Sequence, residues 1–332
     1  MSHIIDEAGM IPPSTKGRKV DVMKKEVKIG KSDLNVNPIG LGTNAVGGHN
    51  IFPDLDEQAG KDLVKTAIEN GIDFIDTAYL YGPGRSEELV GEVVKETGKR
   101  DELVIATKIS PVFDGDDMSK CNEPTFLKNE VEKSLERLRT DYIDLMYLHY
   151  PDEDTPKDQA IAALQQLKDE GKIRAIGVSN FSLDQLKEAN KDGHVDVFQG
   201  EYNLLKRDAE DELFPYLKEQ GISFVPFFPL ASGLLTGKFT KEDTFNDLRE
   251  DLPAFQSGEF EKNIDKVEKL RPLAEEKGVD IAHVVLAWYL TRDVIDAIIP
   301  GAKRSEQVLN NLKALEVELT GEEVAEIDNI FS

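Results

Sequence analysis

Short, nearly continuous apolar runs alternate with longer amphipathic segments along most of the chain, and this rhythm constrains the fold more than any other feature. The candidate strands are residues 39–41, 74–78, 103–108, 143–149, 173–179, 195–201, 222–227 and 295–300. Runs with so little polar alternation suit strands buried on both faces, as in a parallel sheet covered by helices. Between them, Ala59, Leu63, Ala67 and Ile68 share one helical face, as do Ile161, Leu164 and Leu167. Ser182-Leu183-Asp184-Gln185 reads as a capping box, and Thr155-Pro156 as an N-cap followed by a proline at the first helical position. Gly71, Gly98, Gly171, Gly193 and Gly221 stand at helix ends, where left-handed backbone is needed. Repeated strand–helix units of this number predict an α/β fold, a (β/α)8 TIM barrel. Ahead of it, residues 26–29 and 34–36 around Gly30-Lys31-Ser32 predict a β-hairpin covering the barrel bottom.

No composition break divides the chain, so residues 23–332 are expected to form one domain, with residues 1–22 a disordered N-terminal extension. That extension contains Pro12 and Pro13 and no continuous apolar core, unlike a secretory signal. The 64 Asp and Glu against 40 Lys and Arg give a net charge of −24, which argues against nucleic acid or an anionic membrane as partner. No apolar run approaches the roughly 18 residues of a membrane span. The single cysteine, Cys121, excludes an intrachain disulfide, and a reducing cytoplasm fits. His49, His194 and His283 have no companions at metal-ligand spacing, so no metal is expected. Without a coiled-coil pattern or an exposed apolar stripe, the expectation is a monomer or weak homo-oligomer.

Gly40-Leu41-Gly42-Thr43-Asn44-Ala45 fits the glycine pattern of a dinucleotide-binding turn, but the next helix starts only near Asp56. That pattern needs a helix opening at once beneath the pyrophosphate, so the match is read as a tight strand-end turn. The chemistry lies elsewhere. Asp76, Lys108 and His149 stand at the ends of three consecutive predicted strands, and Tyr81 follows Asp76 by one short turn. In a parallel barrel all four meet at one mouth, a constellation of carboxylate, ammonium, imidazole and phenol. Two long segments, 110–123 and 230–259, follow strands and are expected to stand over the same mouth.

These residues resemble the aldo-keto reductase family. The resemblance rests on Gly71-Ile72-Asp73-Phe74-Ile75-Asp76-Thr77-Ala78 with Tyr81-Gly82 and Ser86-Glu87, on Ala106-Thr107-Lys108, and on Leu148-His149. It extends through Ile176-Gly177-Val178-Ser179-Asn180-Phe181, Gln199 with Tyr202-Asn203, and Ile299-Pro300-Gly301-Ala302. Residues 38–50 and 199–205 are most similar to the bacterial members encoded in inositol-utilisation operons. The resemblance implies reversible reduction of aldehydes and ketones, with Tyr81 as general acid, Lys108 and Asp76 tuning it, and His149 orienting the carbonyl. An ammonium beside a phenol lowers the cost of its ionisation, which gives that arrangement a physical basis.

The resemblance also implies a bound NADP cofactor, with NADPH preferred over NADH. Ser179, Asn180 and Gln199 would hold the carboxamide, beside Thr43, Asn44 and Asp76, while Phe227 supplies a stacking ring. Phe228 stands where a serine is common. Pro229, Leu230, Ser232, Gly233 and Leu235 would follow the pyrophosphate. Gly301, Lys303, Arg304, Gln307 and Asn311 would face the adenosine, and two cations beside a helix start suit its 2′-phosphate. Gln307 replaces an arginine found in some relatives. Tyr79, Phe113, Tyr150 and Phe228 are expected to wall a pocket for small to medium carbonyl or alcohol substrates. Two other readings stay open: an NADPH-binding regulatory subunit with little turnover, and a Schiff-base lyase using Lys108. The intact tetrad weighs against the first, and Asp76, which keeps Lys108 protonated, against the second.

Overall fold

The computed structural model describes residues 26–115 and 117–332, so the extension read at 1–22 lies outside the described residues. The chain opens with β1 (Val27–Lys28) and β2 (Asn35–Val36), an antiparallel pair, and then enters the strand–helix array. Its first part is β3 (Leu41–Gly42), α1 (Glu57–Glu69), β4 (Phe74–Asp76), α2 (Arg85–Thr97) and β5 (Val104–Ile109). A second hairpin follows, β6 (Pro111–Asp114) with β7 (Asp117–Lys120), before α3 (Pro124–Leu138). Then come β8 (Ile143–Leu148), α4 (Lys157–Asp169), β9 (Ile173–Ser179), α5 (Leu183–Ala189) and β10 (Val197–Glu201). After α6 (Leu213–Gln220) and β11 (Ser223–Phe227), the chain ends in α7 (Glu259–Glu268), α8 (Arg271–Lys277), α9 (Ile281–Tyr289), α10 (Ser305–Leu312) and α11 (Gly321–Ile330).

Seven parallel strands form one sheet in the order β11-β10-β9-β8-β5-β4-β3. The ring closes through the segment expected as an eighth strand at 295–300, which makes isolated parallel bridges Ile39↔Ile298 and Gly42↔Gly301 in place of a regular ladder. Pro300 has no amide hydrogen to give, so a continuous ladder cannot form there. Gly42 permits the close approach, since a Cβ at that position would lie 2.9 Å from the Ile299 carbonyl oxygen. On the other side, the Phe224 amide donates to the Val294 carbonyl at 2.6 Å. The fold is the (β/α)8 barrel.

Two apolar clusters show the layering. The larger lies between strands and helices and includes Ile75, Ile105, Met146, Ile176 and Phe198. The smaller fills the ring with Phe74, Val104, Ala106, Leu145, Tyr147, Ala175, Val197, Val225, Ala297 and Ile299. Strand side chains thus alternate between the two clusters with a period of two. Ile29, Leu34 and Val36 of the first hairpin belong to the inner cluster, so the hairpin plugs the barrel bottom. Gly177 makes room for the Tyr147 ring, because a Cβ there would fall 2.3 Å from it.

Local expectations hold in most places. Ser182 and Gln185 form a reciprocal capping box, and Gly98 and Gly221 end α2 and α6 in the left-handed region. Two differ. Pro156 is itself the residue before α4 and no side chain caps that helix; the Thr155 hydroxyl donates instead to Asp152 at 2.7 Å. The segment 110–123, expected as a loop, is built around the hairpin β6–β7, whose ladder its Asp- and Gly-rich composition disguises.

Candidate active site

The inward register of the strands carries the chemistry. Stepping by two from the inner cluster, Phe74 leads to Asp76 and Ala106 to Lys108, each inside its strand. Tyr147 leads to His149, Val197 to Gln199 and Val225 to Phe227, all at the same end of the ring. Apart from Phe227, the top layer of barrel side chains is therefore polar or ionisable where the lower layers are mainly apolar.

Lys108 is fully buried, and its Nζ donates to Asp76 Oδ1 at 2.5 Å and to the Thr77 carbonyl at 2.8 Å. Gln199 reaches across from β10 and donates from Nε2 to the second Asp76 oxygen at 3.0 Å. Burial alone would push the Lys108 pKa down, but the Asp76 charge overrides it and the ammonium is held above its ordinary range. Burial raises Asp76, against the opposing pull of Lys108. The ammonium sits 5.3 Å from the Tyr81 ring centroid and 5.7 Å from that of Tyr147.

Tyr81 lies in the turn after β4, which is tightly fixed. The Gly82 amide donates to Asn50 Oδ1 at 2.7 Å, and Asn50 Nδ2 donates to the Leu80 carbonyl at 3.0 Å. Gly82 has φ +64°, and a Cβ there would fall 2.0 Å from the Gly47 carbonyl oxygen, so the turn tolerates only glycine. The phenol pKa is raised: burial outweighs the lowering effect of Lys108. The expected stabilisation of the phenolate is present but does not win, and Tyr81 keeps its proton at neutral pH.

The His149 ring meets Tyr81 edge-on at 6.4 Å and stacks on Tyr150 at 4.5 Å. Burial, then the Lys108 charge, hold its pKa well below the ordinary imidazole value, so the ring is neutral. Asn180 Nδ2 donates to the His149 carbonyl at 3.0 Å and to the Ser179 hydroxyl at 3.1 Å, tying the tops of β8 and β9 together. Behind the site, the buried Glu87 carboxylate takes Arg137 at 2.5 Å and the Thr107 hydroxyl at 2.6 Å. Ser86 is likewise buried and bonded to Thr77 and Thr43. The Ser86-Glu87 pair of the motif is thus a brace for α2 rather than part of the mouth.

The sequence model of the Aldo/keto reductase family matches residues 38–331. The chain belongs to this family. It is 38% identical over 296 residues, 88% of each chain, to aldo-keto reductase YhdN of Bacillus subtilis strain 168. It is 36% identical over 310 residues to the NADH-specific methylglyoxal reductase of Escherichia coli K12, covering 89% of this chain and 95% of that one. Among solved structures, the glycerol dehydrogenase AKR11B4 of Gluconobacter oxydans superposes with a TM-score of 0.86 at 34% identity, over 93% of this chain and 95% of that one.

Family membership implies a nicotinamide cofactor, and some of the residues expected to hold one have groups left for it. Phe227 is partly exposed at the end of β11, two residues beyond the partner of Gln199, and His149 Nδ1 is buried without a protein partner among the described residues. Other expected contacts are already engaged. The Thr43 hydroxyl donates to the Asp76 carbonyl at 2.9 Å, which makes Thr43 a support of β4. Leu235 is a core side chain, and its amide and that of Gly233 both donate to the Leu230 carbonyl. The Pro229 carbonyl accepts the Tyr289 hydroxyl at 2.9 Å. Phe228 is 48% exposed at φ +53°, and Ser232 has φ +54°, so this loop holds non-glycine residues in left-handed backbone.

At the far end, Lys303 and Arg304 are exposed ahead of α10 and Asn311 is buried. Gln307 accepts from the amides of Lys303 and Arg304 at 2.8 and 3.1 Å and so caps its own helix. Asn44 Oδ1 faces Gly301, 3.2 Å from where a Cβ would stand. The Lys303 ammonium rests 4.1 Å from the Phe52 ring centroid. Asp247, held down to about 2 by its pairing with Arg249, also feels the Lys303 charge, which brings the long segment after β11 alongside α10.

Sequence reasoning missed Gln199 as the second holder of Asp76; the period-two register on β10, continuing from Val197, is the signal that finds it. Removing the carboxylate strands a buried ammonium. Asp76→Leu should therefore cost about 3–5 kcal/mol in urea denaturation, and adding Lys108→Met should restore most of it.

Proposed function

We propose that this chain reduces aldehydes and ketones with a nicotinamide cofactor, reversibly, with Tyr81 as the proton donor. The buried contact of Lys108 with Asp76, set against the Tyr81 phenol, carries the reading. When bound, the cofactor supplies the hydride. As negative charge develops on the carbonyl oxygen, the Tyr81 hydroxyl delivers the proton, and the adjacent ammonium stabilises the phenolate left behind. Asp76 and Gln199 keep the ammonium in place, and neutral His149 positions the oxygen by hydrogen bonding. Ser179, Asn180 and Phe227 would hold the nicotinamide.

The activities named for two relatives, on methylglyoxal and on glycerol, support small carbonyls and polyols as substrates. A polyol-derived substrate of inositol metabolism rests on the likeness of residues 38–50 and 199–205 alone. A cytoplasmic enzyme acting as a monomer or weak homo-oligomer accords with the lone cysteine and the high acidity. No helix among the described residues is long and apolar enough to cross a membrane.

For the cofactor we infer NADPH over NADH, because Lys303 and Arg304 are exposed at the start of α10. With Gln307 spent on the cap, the preference should be modest, about tenfold in kcat/KM, the scale of one charge-assisted contact. Equal efficiency with both cofactors, as measured in parallel titrations, would remove this part. Tyr81→Phe should lower turnover by about 10²–10⁴-fold while fluorescence titration shows cofactor binding unchanged. Undiminished turnover would eliminate Tyr81 as the acid. Because the donor acts in its protonated form and its pKa is raised, reduction should hold level through neutral pH and decline only above the ordinary phenol value of 10.0. A kcat profile falling between neutrality and that value would contradict the burial of the phenol.

A further inference from the structure

The β6–β7 hairpin stands over the mouth, and its pairing fixes which side chains look inward. Pro111 lies opposite Lys120 and Phe113 opposite Met118. Directly paired residues and next-but-one neighbours share a face of a hairpin, so Pro111, Phe113, Met118 and Lys120 lie together, with Val112 and Ser119 on the reverse. Two contacts turn the first face toward the site. The Phe113 ring lies 6.0 Å from Tyr79, and the Lys120 ammonium lies 5.1 Å from the Tyr150 ring centroid. Tyr150 in turn lies flat on His149, with the ring planes 12° apart. Lys120 is thus two ring contacts from the imidazole that orients the substrate.

Met118 is 44% exposed, so the apolar part of this face is open to a ligand. Lys120 is also exposed, and its contact to Tyr150 is with a ring face, which leaves the ammonium hydrogens for a stronger acceptor. In a chain of net charge −24, a cation at the rim runs against the overall field and selects locally. Among the described residues of the hairpin no second cation shares the face, which matches a monoanion better than a phosphate dianion.

Resting on the carbonyl-reduction reading, we propose that Lys120 recognises a carboxylate at the far end of the substrate while Phe113 and Met118 pack on its apolar body. The preferred class is then carbonyl compounds with an apolar middle and a terminal carboxylate.

The test compares kcat/KM for 4-carboxybenzaldehyde with that for 4-nitrobenzaldehyde, which is similar in size and uncharged. Lys120→Met keeps the length of the side chain and removes the charge, and it should lower the carboxy-to-nitro ratio about tenfold. Added salt should lower the same ratio in the unaltered protein. Ser119→Met, on the reverse face, should leave it in place. A ratio indifferent to Lys120→Met, or shifted equally by Ser119→Met, overturns the proposal. Calorimetric binding of 4-hydroxymethylbenzoate separates the two readings, because it needs no turnover and should weaken about tenfold in Lys120→Met. If neither aldehyde is reduced but this difference persists, the reductase reading fails and carboxylate recognition stands. If both aldehydes are reduced and neither the binding nor the ratio responds, carboxylate recognition alone fails.

Discussion

An ammonium and a carboxylate, both buried at the top of the strand ring and 2.5 Å apart, are the interaction on which the rest of the structure depends. Neither charge is tolerable there alone, since each ion taken out of water costs several kcal/mol that only a close partner offsets. The pair therefore demands company, and the fold supplies it from several strands: the Thr77 carbonyl, the Gln199 amide, and the ring faces of Tyr81 and Tyr147. A barrel is well suited to this, because every strand delivers its last inward side chain to one small volume. The same burial that makes the pair costly makes its field strong at the neighbouring phenol of Tyr81.

The layers beneath explain why that volume is so well defined. Below Asp76, Lys108 and His149 the ring is packed with Phe74, Ala106, Leu145 and Tyr147, and the bottom is stopped by Ile29, Leu34 and Val36. The two hairpins divide the labour. The first buries Ile29, Leu34 and Val36 and seals; the second, with its exposed strand β7, packs Phe113 and Lys120 against Tyr79 and Tyr150 at the mouth.

The repeat of strands and helices was legible in the sequence because parallel strands buried on both faces leave unbroken apolar runs. Asp76, Lys108 and His149 stood out because an ionisable residue ending such a run conflicts with its surroundings, and the structure gathers them beside Tyr81 at one end of the ring. Other features were hidden for physical reasons. The closing segment around Ile298 pairs through bridges across glycines and a proline, which apolar content alone does not reveal. In the β6–β7 ladder, β7 is formed by solvent-exposed residues with little apolar signal. The internal bonds of Thr43, Gln307 and the amides of Gly233 and Leu235 were not legible either. Residue type says what a side chain is able to bond, while its partner is settled by geometry that a linear string does not contain.

The link from Gln199 to Asp76 spans 123 positions and joins β10 to β4 across the ring. The buried charge pair with its amide support is consequently not the property of any contiguous half of the chain. A nascent chain that has made β4 and β5 already holds the carboxylate and the ammonium, yet lacks the amide that fixes their orientation until β10 has emerged and docked. The support of the charge pair is thereby complete before the ring is whole, since closure still waits for β11 and the segment around Ile298.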